Sequence, residues 1–126
     1  MSTLSCCRFW AAMVLASFLV SAAGCGGRKE PSADPQKTAA TLDAAFATAS
    51  SEVRAVVQSA SESIRNSDTT TGFLALYGIS RNPELTPEQQ RAAGDALVNS
   101  IKDLAKAAKN GDARAEKALE AYRARK

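Results

Sequence analysis

After residue 37, apolar side chains recur with the period of an α-helix. Over residues 38–66 they are separated alternately by four and three positions, which is the a/d spacing of a helix with one apolar face. The positions are Leu42, Phe46, Ala49, Val53, Val56 and Ala60. No proline or glycine interrupts this segment, so it predicts one long helix, or two helices that meet at Ser50 and Ser51.

Residues 70–80 contain the densest group of large apolar side chains in this region. The group consists of Phe73, Leu74, Leu76, Tyr77 and Ile79. A strand would suit this content, but no partner strand lies nearby in the sequence, so we predict a short helix that is buried on several sides. The polar residues 66–69 before it form a turn that can supply an N-cap.

A third helix is marked by its first residues. Thr86, Pro87 and Gln89 have the spacing of a capping box with proline at the first helical position, which predicts a helix from here to about Lys109. Its apolar residues are Leu97, Val98, Ile101, Leu104, Ala105 and Ala108.

A last helix follows a short turn at Asn110 and Gly111. Asp112 can cap it, and Ala115, Leu119 and Tyr122 would then share one face. The elements together predict an all-α domain over residues 38–126, with about four helices in antiparallel hairpins.

The first 25 residues follow a different pattern, which is that of a secretory signal peptide. A short segment ending in Arg8 precedes a mainly apolar segment of 12 residues, 9–20, and small residues follow up to Cys25. Residues 9–24 number 16, fewer than the roughly 20 that a helix needs to cross the hydrocarbon core of a membrane. A retained transmembrane helix is therefore the weaker reading of this segment.

The sequence Ala22-Ala23-Gly24-Cys25 resembles the lipobox of bacterial lipoproteins. The resemblance implies that the sulfur of Cys25 receives a diacylglyceryl group and that the chain is cut before it. Residues 1–24 would then be the signal peptide, and residues 25–37, which are rich in glycine, proline and charge, a flexible tether. Ordinary cleavage after Ala23 is the alternative, and it would leave a soluble protein with a free thiol. Gly26 stands where the family's inner-membrane retention signal is usually Asp, which implies the outer membrane if the cell has one.

Two further resemblances concern the region after the tether. The helical hairpins resemble tetratricopeptide-type units and small secreted bacterial proteins with a connector like residues 82–90, Asn-Pro-Glu-Leu-Thr-Pro-Glu-Gln-Gln. The last residues, from Tyr122 to Lys126, resemble the end of the murein lipoprotein family. That resemblance implies a link between the amine of Lys126 and the cell wall.

Composition narrows the range of functions. Of the 16 Lys and Arg residues only Arg8 lies in the signal peptide, which leaves 15 against 13 Asp and Glu, so no strong basicity points to nucleic acid. The chain has no His, and its cysteines are Cys6, Cys7 and Cys25, which the lipoprotein reading removes or modifies. We therefore expect no disulfide, no metal site, no cofactor and no catalytic residues.

Two groups of residues are candidate binding sites. Leu42, Phe46, Val53 and Val56 form a stripe that could bind a protein partner or a second copy of the chain, unless it packs on the later helices. The aromatic residues Phe73, Tyr77 and Tyr122 could wall a ligand groove, unless they belong to the core.

The expected function is that of a membrane-anchored, extracytoplasmic lipoprotein that acts as a structural or protein-interaction module. A lipoprotein that binds a small apolar ligand, and a cell-wall tether through Lys126, are the alternatives.

Overall fold

The computed structural model describes residues 34–125, and in this part of the chain all regular secondary structure is helical. The all-α prediction is thereby confirmed, with five helices in place of about four. They are α1 (Pro35–Ala45), α2 (Ser51–Arg65), α3 (Thr69–Ile79), α4 (Pro87–Lys109) and α5 (Ala113–Arg123).

The additional helix arises from a break within residues 38–66. Helix α1 ends at its C-cap Phe46, and Ser50 begins α2 by accepting a hydrogen bond from the backbone N–H of Val53 at 3.4 Å. One long helix is therefore wrong, and the alternative of two helices is correct. The prediction of a domain start at residue 38 is also corrected, since Asp34 caps α1 and the predicted tether includes its first turn.

Helices α1 and α2 pack against each other and are also joined by polar contacts. The hydroxyl of Ser61 donates to Asp43 Oδ1 at 2.7 Å, and Arg65 forms an ion pair with the other carboxylate oxygen of Asp43. Ser61 is fully buried, so this hydrogen bond satisfies a hydroxyl group that has no access to water. The contacts fix the register of the two helices.

The remaining helix starts agree closely with the sequence. The hydroxyl of Thr86 accepts from the backbone N–H of Gln89 at 3.2 Å, and the Gln89 side chain accepts from the Thr86 N–H at 3.1 Å, which completes the predicted capping box. Asp68 and Asp112 are the N-caps of α3 and α5, and their carboxylates accept hydrogen bonds from backbone N–H groups of the first turn. Gly111 ends the α4 segment with a φ of 92°, a backbone conformation that glycine adopts without strain.

The core has two parts, and α4 contributes to both. The first part lies among α1, α2, α3 and the first half of α4, and its large members include Leu42, Phe46, Val57 and Leu76. The second part lies among α3, α5 and the second half of α4. Its buried members are Phe73, Leu104, Ala115 and Leu119.

Leu97 packs against both parts of the core and thus connects them. The predicted apolar face of α4 is correct for Leu97, Ile101 and Leu104, which are buried or pack against the core. The prediction is wrong for Val98, which is 45% exposed. None of the helices in residues 34–125 is both long and apolar enough to cross a membrane.

Candidate functional site

Two of the functional predictions fall on residues outside the described part of the chain. They are the lipid attachment at Cys25 and the cell-wall link at Lys126. Both remain predictions.

The predicted interaction stripe is divided between two helices that face each other. Leu42 and Phe46 belong to α1 and its C-cap, and their exposed fractions are only 0% and 1%. Val53 is partly buried on α2, and Val56 is 46% exposed. A continuous surface of all four residues is therefore wrong, because folding α1 onto α2 places the first half of the stripe in the core.

The second half of the stripe borders a shallow, mostly apolar depression between α2 and the end of α3. We call it the α2–α3 groove, and its lining residues are Glu52, Val53, Val56, Gly78, Ile79 and Asn82. Its volume is about 350 Å³. Gly78 borders open space, since a Cβ atom at this position would have no neighbouring atom within 4 Å.

The structure brings the three predicted groove aromatics together, but they pack against one another. The ring centroids of Phe73 and Tyr122 are 5.7 Å apart and those of Tyr77 and Tyr122 are 5.9 Å apart, both pairs nearly perpendicular. Phe73 and Tyr77 are stacked at 6.0 Å. These separations are those of aromatic pairs in contact, so the rings link α3 to α5 and leave no groove between them.

The outer side of this aromatic cluster is polar. The guanidinium group of Arg81 lies 5.5 Å from the ring centroid of Tyr77 and donates a hydrogen bond to its hydroxyl at 2.9 Å. Leu74, which neighbours Phe73 in the sequence, is 56% exposed and takes no part in the cluster. The aromatic cluster thus connects α3 to α5, and the outer edge of the cluster is solvated.

A second depression, which the sequence did not indicate, lies where the start of α1, the α2–α3 turn and the second half of α4 meet. We call it the polar cleft. Ten of its fourteen lining residues have polar side chains, and its volume is about 400 Å³. The polar residues are Thr38, Ser63, Ser67, Asp68, Thr69, Asn99, Ser100, Asp103, Lys106 and Asn110.

The charged groups at the polar cleft are nearly balanced. Asp68 and Asp103 contribute carboxylates and Lys106 an ammonium group, while Arg114 lies 4.0 Å from Asp68 at the edge. Hydrogen bonds from the side chain and the backbone N–H of Thr71, with the nearby charge of Arg114, lower the pKa of Asp68 against the opposing effect of partial burial. Asp68 is therefore ionised at neutral pH.

The polar cleft escaped sequence analysis because its residues come from three separate segments, none of which carries a local signal. Asn99 and Ser100 are its most buried polar members, and in the sequence they appear only as polar interruptions of an alanine-rich helix. No group of three potential metal ligands occurs among the described residues.

Comparison of the chain with protein-family models, with characterised proteins and with solved structures finds no significant match.

Proposed function

We propose that this chain is a lipid-anchored protein of the cell envelope, located outside the cytoplasm, whose helical domain is a structural or protein-interaction module. The observation that carries the proposal is the order of the amino-terminal residues. A basic start, a mainly apolar segment of 12 residues and the sequence Ala22-Ala23-Gly24-Cys25 follow one another as in a lipoprotein signal peptide.

The arrangement of the domain is compatible with an anchor at Cys25. Nine residues, 26–34, separate Cys25 from the first helix. The buried core of the described domain is built from residues at and after Ala39. A lipid on Cys25 would therefore hold the domain at the membrane surface without requiring any change in its packing.

The interaction part of the proposal rests on the α2–α3 groove. Val53 and Val56 remain accessible there beside Gly78, and the groove is large enough for an apolar side chain of a partner protein. Lipid anchoring raises the effective concentration of proteins that share the membrane, so a small contact surface can suffice for binding.

Fatty-acid labelling tests the anchor. Cells that express the wild-type chain with a labelled fatty acid should yield a labelled protein, and Cys25→Ser should abolish the label because no other sulfur is placed at the cleavage site. Cys6→Ser and Cys7→Ser are matched controls, since both cysteines lie in the predicted signal peptide, and they should retain the label. A label that survives Cys25→Ser would overturn the proposed anchor.

Site-specific crosslinking tests the interaction. A photoreactive residue at position 56, in the α2–α3 groove, should give one discrete crosslinked species in intact cells. The same residue at position 102, on the exposed side of α4, should not give that species. Crosslinking at position 56 should disappear when Val53→Glu places a charge in the groove. Equal crosslinking from both positions, or none from either, would contradict an interaction through this groove.

A further inference from the structure

The polar cleft has an inner wall of two buried polar residues. Asn99 is 8% exposed and Ser100 is 6% exposed, both in the middle of α4. The buried positions one and two turns earlier, Ala93 and Ala96, are alanine. Alanine is the better helix former, so two adjacent polar residues here lower the helix propensity of α4. Asn99 has an interaction partner within the chain.

Ser100 is one of the residues that line the cleft, and its hydroxyl is the polar group that its side chain brings there. It makes no hydrogen bond to another described residue. No polar side-chain atom of the described residues is both sealed from solvent and without a partner, so this hydroxyl keeps its access through the cleft. A hydroxyl that is nine-tenths buried and opens into a cavity is a ready hydrogen-bonding group for a ligand.

The charges of the cleft argue against an ionic ligand. Asp68 is engaged by the N–H of Thr71 and by Arg114, and Asp103 has Lys106 one turn along the same helix. A phosphate or other anion would meet two carboxylates and one ammonium group in the lining, because Arg114 lies at the edge beside Asp68. An amine would have to approach Asp103 near the charge of Lys106, three positions later on the same helix.

The lining combines polar groups with apolar surface, so it does not suit a purely apolar ligand. Its apolar members are Pro35, Ile64, Gly72 and Ala107, whereas ligand sites for apolar molecules are walled mainly by hydrophobic and aromatic side chains. What the cleft offers is a set of short hydroxyl, carboxamide and carboxylate groups. Such groups donate to and accept from neighbouring hydroxyls of a single small molecule.

We propose that the polar cleft is a binding site for a neutral saccharide, with Ser100 and Asn99 at its inner wall and Asp103 at its rim. A volume of about 400 Å³ lies within the range of small-molecule sites. The inference does not depend on lipidation of Cys25, because every residue that carries it lies in the described domain.

Saturation-transfer difference NMR on the full chain in detergent micelles tests this site. The probes are two neutral disaccharides, cellobiose and N,N′-diacetylchitobiose, with spermidine as a cationic comparison. We expect saturable transfer to at least one disaccharide and none that saturates for spermidine.

Substitutions in the polar cleft and beside it test where the disaccharide binds. Ser100→Ala should weaken it about tenfold, because a site built around hydroxyl contacts discriminates strongly against their loss. Asp103→Ala, at an exposed rim position that the fold does not need, should weaken it in the same direction. Lys102→Ala, beside it on α4 but outside the cleft, is the matched control and should leave the dissociation constant within about twofold.

Several results would overturn the proposal. They are the absence of saturable transfer from both disaccharides up to their solubility limits, equal weakening by Lys102→Ala and Asp103→Ala, and preferential binding of spermidine. Failure of these tests would leave the proposed anchor untouched, since fatty-acid labelling reads out a different part of the chain.

Discussion

Two glycine residues, one inside α4 and one at its end, show how much a single position can contribute to the stability of the fold. Gly94 lies inside the helix, and a Cβ atom there would have no neighbour within 4 Å. Gly111 ends the segment with a φ of 92°, which side chains disfavour. Substitution by alanine at these two positions should therefore change the free energy of unfolding in opposite directions.

Gly94→Ala should raise the free energy of unfolding by about 0.5–1 kcal/mol, because alanine gains helix propensity and narrows the unfolded ensemble. Gly111→Ala should lower it by about 1 kcal/mol or more, because the native φ is strained for alanine. Urea unfolding followed by circular dichroism measures both. A destabilising Gly94→Ala would show that α4 is packed on its Gly94 side.

Asp68 is the residue whose titration is coupled to folding. Its pKa in the folded chain is lowered, so its ionised form stabilises the native state above the ordinary pKa of an aspartate, about 3.9. That stabilisation is lost as the pH falls through the lowered pKa. Its extent is small because Asp68 is partly exposed.

Asp68→Asn tests this linkage, since asparagine can still cap α3 but does not ionise. Thermal melting should show the wild type as the more stable chain above about pH 4, with the difference shrinking at lower pH. A difference that is constant from pH 2 to 6 would contradict the argument.

At the scale of helices, the sequence predicts where a helix begins or ends better than it predicts which face is buried. Thr86, Gln89 and Asp112 are local signals, and each capping interaction joins residues that are two or three positions apart. The break after Ala45 was only one of two alternatives, because no proline or glycine marks it and the packing of α1 on α2 fixes it.

One substitution in each half of the predicted stripe tests how α1 packs on α2. Phe46→Glu should unfold the domain, because it places a charge at a position that is 1% exposed in the core. Val56→Glu should change the free energy of unfolding by no more than about 0.5 kcal/mol, since this position is half exposed. Circular dichroism at 222 nm distinguishes the two. A folded Phe46→Glu chain would mean that α1 does not pack against α2 as described.

Helix α4 provides a second pair of test substitutions, one at a buried position and one at an exposed position. Leu104 is fully buried in the second part of the core, while Val98 is 45% exposed one and a half turns earlier. Leu104→Ala should cost about 2–4 kcal/mol through the lost burial and the cavity that it leaves. Val98→Ala should be nearly neutral. If urea midpoints shift equally for both variants, the orientation of α4 is wrong.

At the scale of the whole molecule, the sequence predicted the helical class and the sequence order of the helices but not the sites between them. The polar cleft is assembled from residues near positions 35, 64 and 100. The aromatic cluster joins Phe73 and Tyr77 to Tyr122, which lies on another helix. Such surfaces depend on how the helices cross, and periodicity along one helix does not contain that information.

At the same scale, we propose that a lipid on Cys25 anchors the helical domain, whose described core is built from residues at and after Ala39. Mass spectrometry of the amino-terminal peptide from the mature protein tests it most directly. We predict a chain that begins at Cys25 and carries the added mass of a diacylglyceryl group. An unmodified amino terminus at Gly24 or Cys25, or an intact signal peptide, would contradict the account.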